Sequence, residues 1–203
     1  MWKWMIVFCV AFSATLNAEI KVLAFAGSTR EDSVNKKLVV EAAKIARQLH
    51  AKVEVVDLRD YPIPFYDEDL ETSQGMPIKA KQFRQLMINS DVILIASPEY
   101  NGSLSAVLKN TIDWASRGEN GGGSREAFKG KKFVIMSAAP GPGGGARGLV
   151  HLRAIIENIG GTVLPQQVVV PGAYNAFDEQ GRLKDEKVRR ELEQLIRTAI
   201  NER

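Results

Sequence analysis

The stretch KVLAFAGSTREDSVN, Lys21 to Asn35, joins an apolar run to a polar loop, and a helical pattern begins immediately beyond it. The run Lys21 to Ala26 is apolar on both faces, as a strand covered by helices on both sides must be. After it, Leu38, Val39, Ala42, Ala43, Ile45, Ala46 and Leu49 recur at helical spacing, predicting a helix over Lys36 to Gln48. Strand, short loop and helix in this order open a βαβ unit. The loop brings the hydroxyls of Ser28, Thr29 and Ser33, the amide of Asn35 and the cation of Arg30 to a helix N-terminus. Unpaired N–H groups and the helix dipole favour an anion there, and a phosphate monoester suits that donor set. The plainer reading is a capped helix with Ser33 or Asn35 as N-cap.

Outward from this unit the alternation repeats. Further strands are predicted at Lys52 to Val56, Val92 to Ser97, Phe133 to Ser137 and Thr162 to Val170, each bounded by Gly, Pro, Asp or Ser. Helices are predicted at Ile78 to Ile88, Leu104 to Ala115, Leu149 to Ile159 and Asp185 to Ile200. Gly160-Gly161 stops the fourth helix. With right-handed crossovers the outcome is a three-layer doubly wound α/β fold around a five-stranded parallel sheet, order 2-1-3-4-5. Two stretches break the rhythm. Tyr61 to Gly75 is rich in Pro and acids, and Gly118 to Arg125, with Gly121-Gly122-Gly123, reads as a flap or an interface loop.

Ligands of such sheets bind beyond the carboxyl ends of the strands, where the strand order reverses. Loop one lacks the spacing of a P-loop and of Gly-x-Gly-x-x-Gly, which favours a terminal monophosphate over a pyrophosphate. Loop two, Pro98-Glu99-Tyr100-Asn101-Gly102-Ser103, lies opposite it because the helices after strands one and three cover opposite faces. Tyr100 offers an aromatic face, Gly102 permits close backbone approach, and Glu99 would order water or set loop geometry, without a proton-transfer role. Loop three contains Gly141-x-Gly143-x-x-Ala146, a match to a dinucleotide fingerprint. No acid ends the next strand and the match is not at strand one, so we read it as a glycine-lined wall for a flat ring.

The 203 residues are 45% hydrophobic, ample for one core, and Lys+Arg exceed Asp+Glu by only 27 to 24. No stretch gathers the basic residues, so no nucleic-acid partner is expected. A lone cysteine, Cys9, and two separated histidines, His50 and His151, offer neither a disulfide framework nor a metal site. Residues 1–18 form a signal-like or apolar leader, with Lys3 ahead of the charge-free run Met5 to Leu16, and residues 19–203 form the doubly wound domain. That run is too short for a stable membrane span.

The three loops in this order resemble the NADPH-dependent FMN reductase family, flavodoxin-like enzymes that include quinone, azo-dye and chromate reductases. The resemblance runs from Ile20 to Ile200 and is strongest in Gly27-Ser28-Thr29-Arg30 with Ser33 and Asn35. It continues in Pro98 to Ser103, Leu108-Lys109-Asn110 and Asp113-Trp114. It implies FMN as cofactor, with Ser28, Arg30, Ser33 and Asn35 on its phosphate. Pro98, Glu99, Tyr100, Asn101 and Gly102 would lie along the ring and ribityl chain, and Ser137, Gly141, Gly143, Gly144 and Gly145 beside the ring. NADPH or NADH would reduce the flavin and leave, and a small acceptor (a quinone, azo compound, chromate-like oxyanion or flavin) would follow. Such chemistry needs no catalytic side chain of the protein's own. Arg117, Arg125 and Arg147 flank the expected mouth. The family forms homodimers or homotetramers, and its nicotinamide reductant points to the cytoplasm, with export through a signal peptide ending near Ala18 as the alternative. A non-enzymatic electron carrier of the flavodoxin type is the second functional reading, disfavoured by the want of an acidic docking face.

Overall fold

In the computed structural model, residues 19–201 are described, so the leader 1–18 lies outside the described residues. β1 (Lys21–Ala26) passes through loop one into α1 (Val34–Gln48), β2 (Lys52–Val56) and a 3-10 turn at Leu58–Asp60. Next come α2 (Glu68–Gln74), α3 (Ile78–Ile88), β3 (Val92–Ala96), a hairpin of β4 (Glu99–Tyr100) and β5 (Ser103–Leu104), and α4 (Ala106–Ala115). The chain ends with β6 (Lys132–Ala138), α5 (Ala146–Asn158), β7 (Thr162–Val163), β8 (Val168–Val170) and α6 (Glu186–Asn201).

β2, β1, β3 and β6 lie side by side in parallel, and β7 and β8 both pair with β6. This is the expected order 2-1-3-4-5, with the fifth position filled in two pieces. Phe133 faces Val163 and Met136 faces Val168, so the edge chain takes two residues more than β6 over the same stretch. Pro165 lies in that excess; lacking an N–H, it cannot continue a ladder.

Alternation along each strand divides the core. Val22, Ala24, Ala26, Leu94 and Met136 pack under α1 and α6, while Leu23, Phe25, Ile93, Ile95 and Ile135 pack under α3, α4 and α5. The helices after β1 and β3 therefore take opposite faces, and the crevice between loops one and two follows. Truncating a fully buried residue such as Leu23 or Ile135 to alanine costs about 3 kcal/mol.

Two stretches read as irregular are ordered by polar groups. The acids of Tyr61 to Gly75 build α2: Asp67 accepts from Asp69 N (2.8 Å) and Leu70 N (3.4 Å) as its N-cap, and Glu68, Asp69 and Glu71 fill the first turn. The glycine loop is closed rather than open, through an Arg117–Gly123 bridge and Ser124 N on Ser116 O (2.7 Å). Arg84 on α3 donates to Ser124 and Glu126 there, at 3.1 and 2.6 Å. No helix of the described residues is long and apolar enough to cross a membrane.

Candidate functional site

Ala26 lies beside Ala96, and Ala96 beside Met136, so loops one, two and three leave the sheet at one edge. Hydrogen bonds then join them. Gly27 N donates to Ala96 O (2.9 Å), Ser97 N to Met136 O (2.8 Å) and the Ser105 hydroxyl to Gly27 O (2.6 Å). Asn35 clasps the end of β6 from both sides, its Nδ2 donating to Ala138 O and its Oδ1 accepting from Ala138 N, each at 2.9 Å.

Loop one is held against α4. A side chain at Gly27 would meet Leu108, its Cβ falling 2.8 Å from Leu108 Cδ2, so only glycine lets the two approach. Ser28 is buried and accepts from Arg30 N (3.2 Å), which turns the loop back on itself. Ser33 is also buried and occupies the N-cap of α1, yet its hydroxyl makes no cap bond. The first-turn amides of α1 are thus left without their usual partner. Arg30, three residues before Ser33, is exposed, and its neighbour Glu31 pairs with Arg59 at 3.6 Å. Open amides, two hydroxyls and a guanidinium form a donor set for a phosphate monoester. Of the expected phosphate residues, Asn35 differs: its amide is fully engaged by β6 and shapes the loop from behind.

Loop two is a hairpin. Asn101 (φ 53°) and Gly102 (φ 80°) make its two-residue turn in the left-handed region, as a type I′ turn requires. The turn lifts Tyr100 into solvent, 51% exposed, while Pro98 is buried. The Glu99 side chain turns away to α5, accepting from Arg147 N (3.1 Å), Gly148 N (3.3 Å), Arg147 Nε (2.8 Å) and Arg147 Nη2 (2.6 Å). Burial alone would push this carboxyl up; the Arg147 hydrogen bonds and charge and the Gly148 amide outweigh it and hold it below the ordinary carboxylate value.

In loop three Gly141 and Gly143 are exposed, whereas Gly144 and Gly145 are buried. Gly145 has φ 88°, and a Cβ there would fall 1.9 Å from Ser137 Oγ, so glycine is obligatory. Ser137 is fully buried and its hydroxyl has no hydrogen-bond partner, which puts it beneath the glycine wall and not on its face. The wall borders a depression of about 530 Å³ lined by Glu99, Ala139, Gly141 to Ala146 and Arg147. Ala139 joins this loop to the end of β8 and the segment after it, its N donating to Val170 O (3.1 Å) and its O accepting from Ala173 N (3.2 Å). A depression of about 390 Å³ adjoins Thr29 between Arg59, Tyr61 and Val107. A larger cavity, about 770 Å³, lies between Leu164–Val168 and α6, touches none of the three loops and carries no comparable donor set.

Arg147 alone of the three arginines borders the loops. Arg117 is bound by Glu71 (2.6 Å) over the Tyr66 ring, and Arg125 lies beside Gly160 where β7 begins, at the other end of the sheet. Sequence reading missed Ser105, absorbed into a helix drawn from Leu104; its place three residues before Leu108, from whose amide it accepts (3.3 Å), is an N-cap signature. It also left Asn110 and Trp114 without a task. Asn110 accepts from Tyr66 N (2.8 Å) and donates to Ile63 O and Pro64 O, and Trp114 donates to Pro64 O (2.8 Å), pinning the Tyr61–Tyr66 segment.

A doubly wound parallel sheet with an uncapped helix N-terminus, a hairpin carrying an exposed tyrosine and a glycine-rich loop at one edge defines an α/β protein of flavodoxin-like fold. Known proteins narrow this further. The family model for NADPH-dependent FMN reductase matches residues 20–175. The chain is 37% identical over 182 residues to an NAD(P)H-dependent FMN reductase of Pseudomonas aeruginosa, covering 89% of this chain and 94% of the relative. It is 33% identical to an NADPH:quinone oxidoreductase of Arabidopsis thaliana, over 87% of this chain and 88% of that one. Among solved structures, the flavoenzyme NAD(P)H:(acceptor) oxidoreductase FerB of Paracoccus denitrificans superposes with a TM-score of 0.74 at 27% identity, covering 89% and 95% of the two chains. The chain belongs to the NADPH-dependent FMN reductase family and is an NAD(P)H-driven FMN oxidoreductase.

Proposed function

We propose that the protein carries electrons from NAD(P)H by way of FMN, anchored by its phosphate at loop one, to a small acceptor of the quinone class. Bound FMN supplies the redox chemistry, taking a hydride and releasing electrons singly or in pairs. The chain's own residues bind and orient. Ser28, Arg30, Ser33 and the first-turn amides of α1 hold the phosphate, and Asn35 fixes that turn against β6. Tyr100 and the Gly141–Gly145 wall bound a flat ring, with no acid or base required of the protein. The observation that carries this reading is the N-terminus of α1, which no side chain caps, in the loop that also carries the exposed Arg30. The names of quinone oxidoreductase relatives in Arabidopsis thaliana and Solanum tuberosum, each 33% identical, support the acceptor class.

The test is anaerobic mixing of purified holoprotein with NADPH and, separately, NADH, followed by a panel of quinones, azo dyes, chromate and free flavin. Bleaching of the flavin by a nicotinamide and its fastest return with a quinone are expected. A flavin that no nicotinamide bleaches would overturn the reading, and fastest return with another acceptor would overturn its last step.

Apolar surface on α5 supports a homodimer: Val150 is 62% exposed, and a depression between α4 and α5 is lined by Leu104, Ala106, His151 and Ile155. Sedimentation equilibrium of a monomer would exclude it. A nicotinamide reductant supports residence in the cytoplasm, which N-terminal sequencing would overturn by finding a start at Glu19.

A further inference from the structure

The N-terminus of α5 is already occupied by an anion. Glu99 approaches from loop two and takes the amides of Arg147 and Gly148 together with the Nε and Nη2 of Arg147. Two backbone N–H groups at a helix terminus and an arginine edge are the donors a phosphate would use. They sit at the end of Gly141-x-Gly143-x-x-Ala146, where a dinucleotide-binding chain would seat its pyrophosphate. The carboxylate side chain is 11% exposed while that of Arg147 is 81% exposed, so the acid is the fixed member and the cation lies on the rim.

We propose that Glu99 is a specificity-determining residue: a built-in anion that seals the N-terminus of α5 and keeps the phosphates of nicotinamide substrates off loop three, reserving the glycine wall for a flat ring. The inference rests on the reading that loop one takes the cofactor phosphate. By filling both α5 amides and one arginine edge, Glu99 leaves no open donor pair there, and its negative charge repels a second anion at the same place. It also ties the hairpin to α5, so that Tyr100 and the glycine wall keep a fixed separation. Glu99 is a positioning residue in this sense and touches no reacting atom.

The experiment uses the full-length, FMN-loaded protein, in which loop one is filled, titrated with inorganic sulfate. Wild type is expected to give no saturable heat and no sulfate inhibition against NADPH. Glu99→Ala is expected to bind sulfate at least about tenfold more tightly and to show inhibition competitive with NADPH. Adding Arg147→Ala to that variant should abolish the gained site. Glu99→Ser, polar but too short to reach the α5 amides, gives the same gain where the alanine variant folds poorly. A Glu99→Ala holoprotein that responds to sulfate as wild type does, or a gained site that survives Arg147→Ala, overturns the proposal. The preference of wild-type apoprotein for FMN over riboflavin tests loop one separately.

Discussion

Loops one and three both lead from a central strand into a helix, and they finish that helix in opposite ways. At α1 the N-cap is Ser33 without a cap bond, the first turn holds no acid, and Arg30 in the preceding loop is exposed. At α5 the N-cap is Gly145 without a side chain, and Glu99 from another loop supplies the missing anion. Between them α4 takes the ordinary solution, the Ser105 hydroxyl accepting from Leu108 N. Of these three helix termini at one sheet edge, only that of α1 receives no side-chain cap or carboxylate among the described residues. Glycine content misleads here, because the glycine-rich loop is the sealed one and the hydroxyl-rich loop the open one.

The contrast is broken most severely at loop one. Arg30→Ala with Ser28→Ala is expected to weaken FMN on the order of a hundredfold while leaving riboflavin affinity nearly unchanged, since only the phosphate loses its charge-assisted donors. Fluorescence titration of apoprotein with each flavin measures it; equal losses for both would mean that the phosphate sits elsewhere. Asn35→Ala acts on the frame instead. It strands the buried N–H and C=O of Ala138 and is expected to cost about 2–3 kcal/mol in urea unfolding, with a smaller loss of FMN affinity. Ser105→Ala removes a cap and the bond to Gly27 O, and a cost of about 1 kcal/mol is expected. A Ser105→Ala variant as damaged as Asn35→Ala would show that α4, and not β6, is the main support of loop one.

What the sequence disclosed follows from how far each signal reaches along the chain. The doubly apolar runs at Lys21–Ala26 and Val92–Ala96, and the 3.6-residue period of α1, are local, and their bounds fall within a residue or two of the structure. The hairpin was hidden because strands of two residues have no period to detect; its one local mark, Asn101-Gly102, lay inside what read as a ligand loop. α2 was hidden because it presents no apolar stripe and depends on the Asp67 cap and on the Glu71–Arg117 pair, whose partners lie far apart in sequence. The same distance hid the function of Glu99: its partners at Arg147 and Gly148 are 48 and 49 residues away. Polar residues could be assigned to the right edge of the sheet but not to the right partner, so Asn35, Ser137 and Glu99 all read as ligand contacts while the structure engages their side chains, or buries them, within the chain.

The smallest expected effect separates the two termini by acid. The Glu99 carboxyl is pushed up by burial but pulled down further by Arg147 and the Gly148 amide, so its folded value lies below the ordinary 4.5. A depressed carboxyl contributes stability that is fully present above the unfolded value and is lost as the pH falls through the folded one. Wild type and Glu99→Gln should therefore differ in melting temperature above pH 4.5 and converge below it, the difference corresponding to about 0.3–1 kcal/mol at a helix terminus. Loop one supplies the control, because the first turn of α1 contains no acid and an Arg30→Ala variant should stay parallel to wild type across the same window. Other acids with lowered values, Glu71 among them, are common to all three proteins and cancel in the comparison. A Glu99→Gln difference that persists unchanged into strong acid would mean that Glu99 holds α5 by shape and hydrogen bonding, and that its charge contributes nothing to the seal.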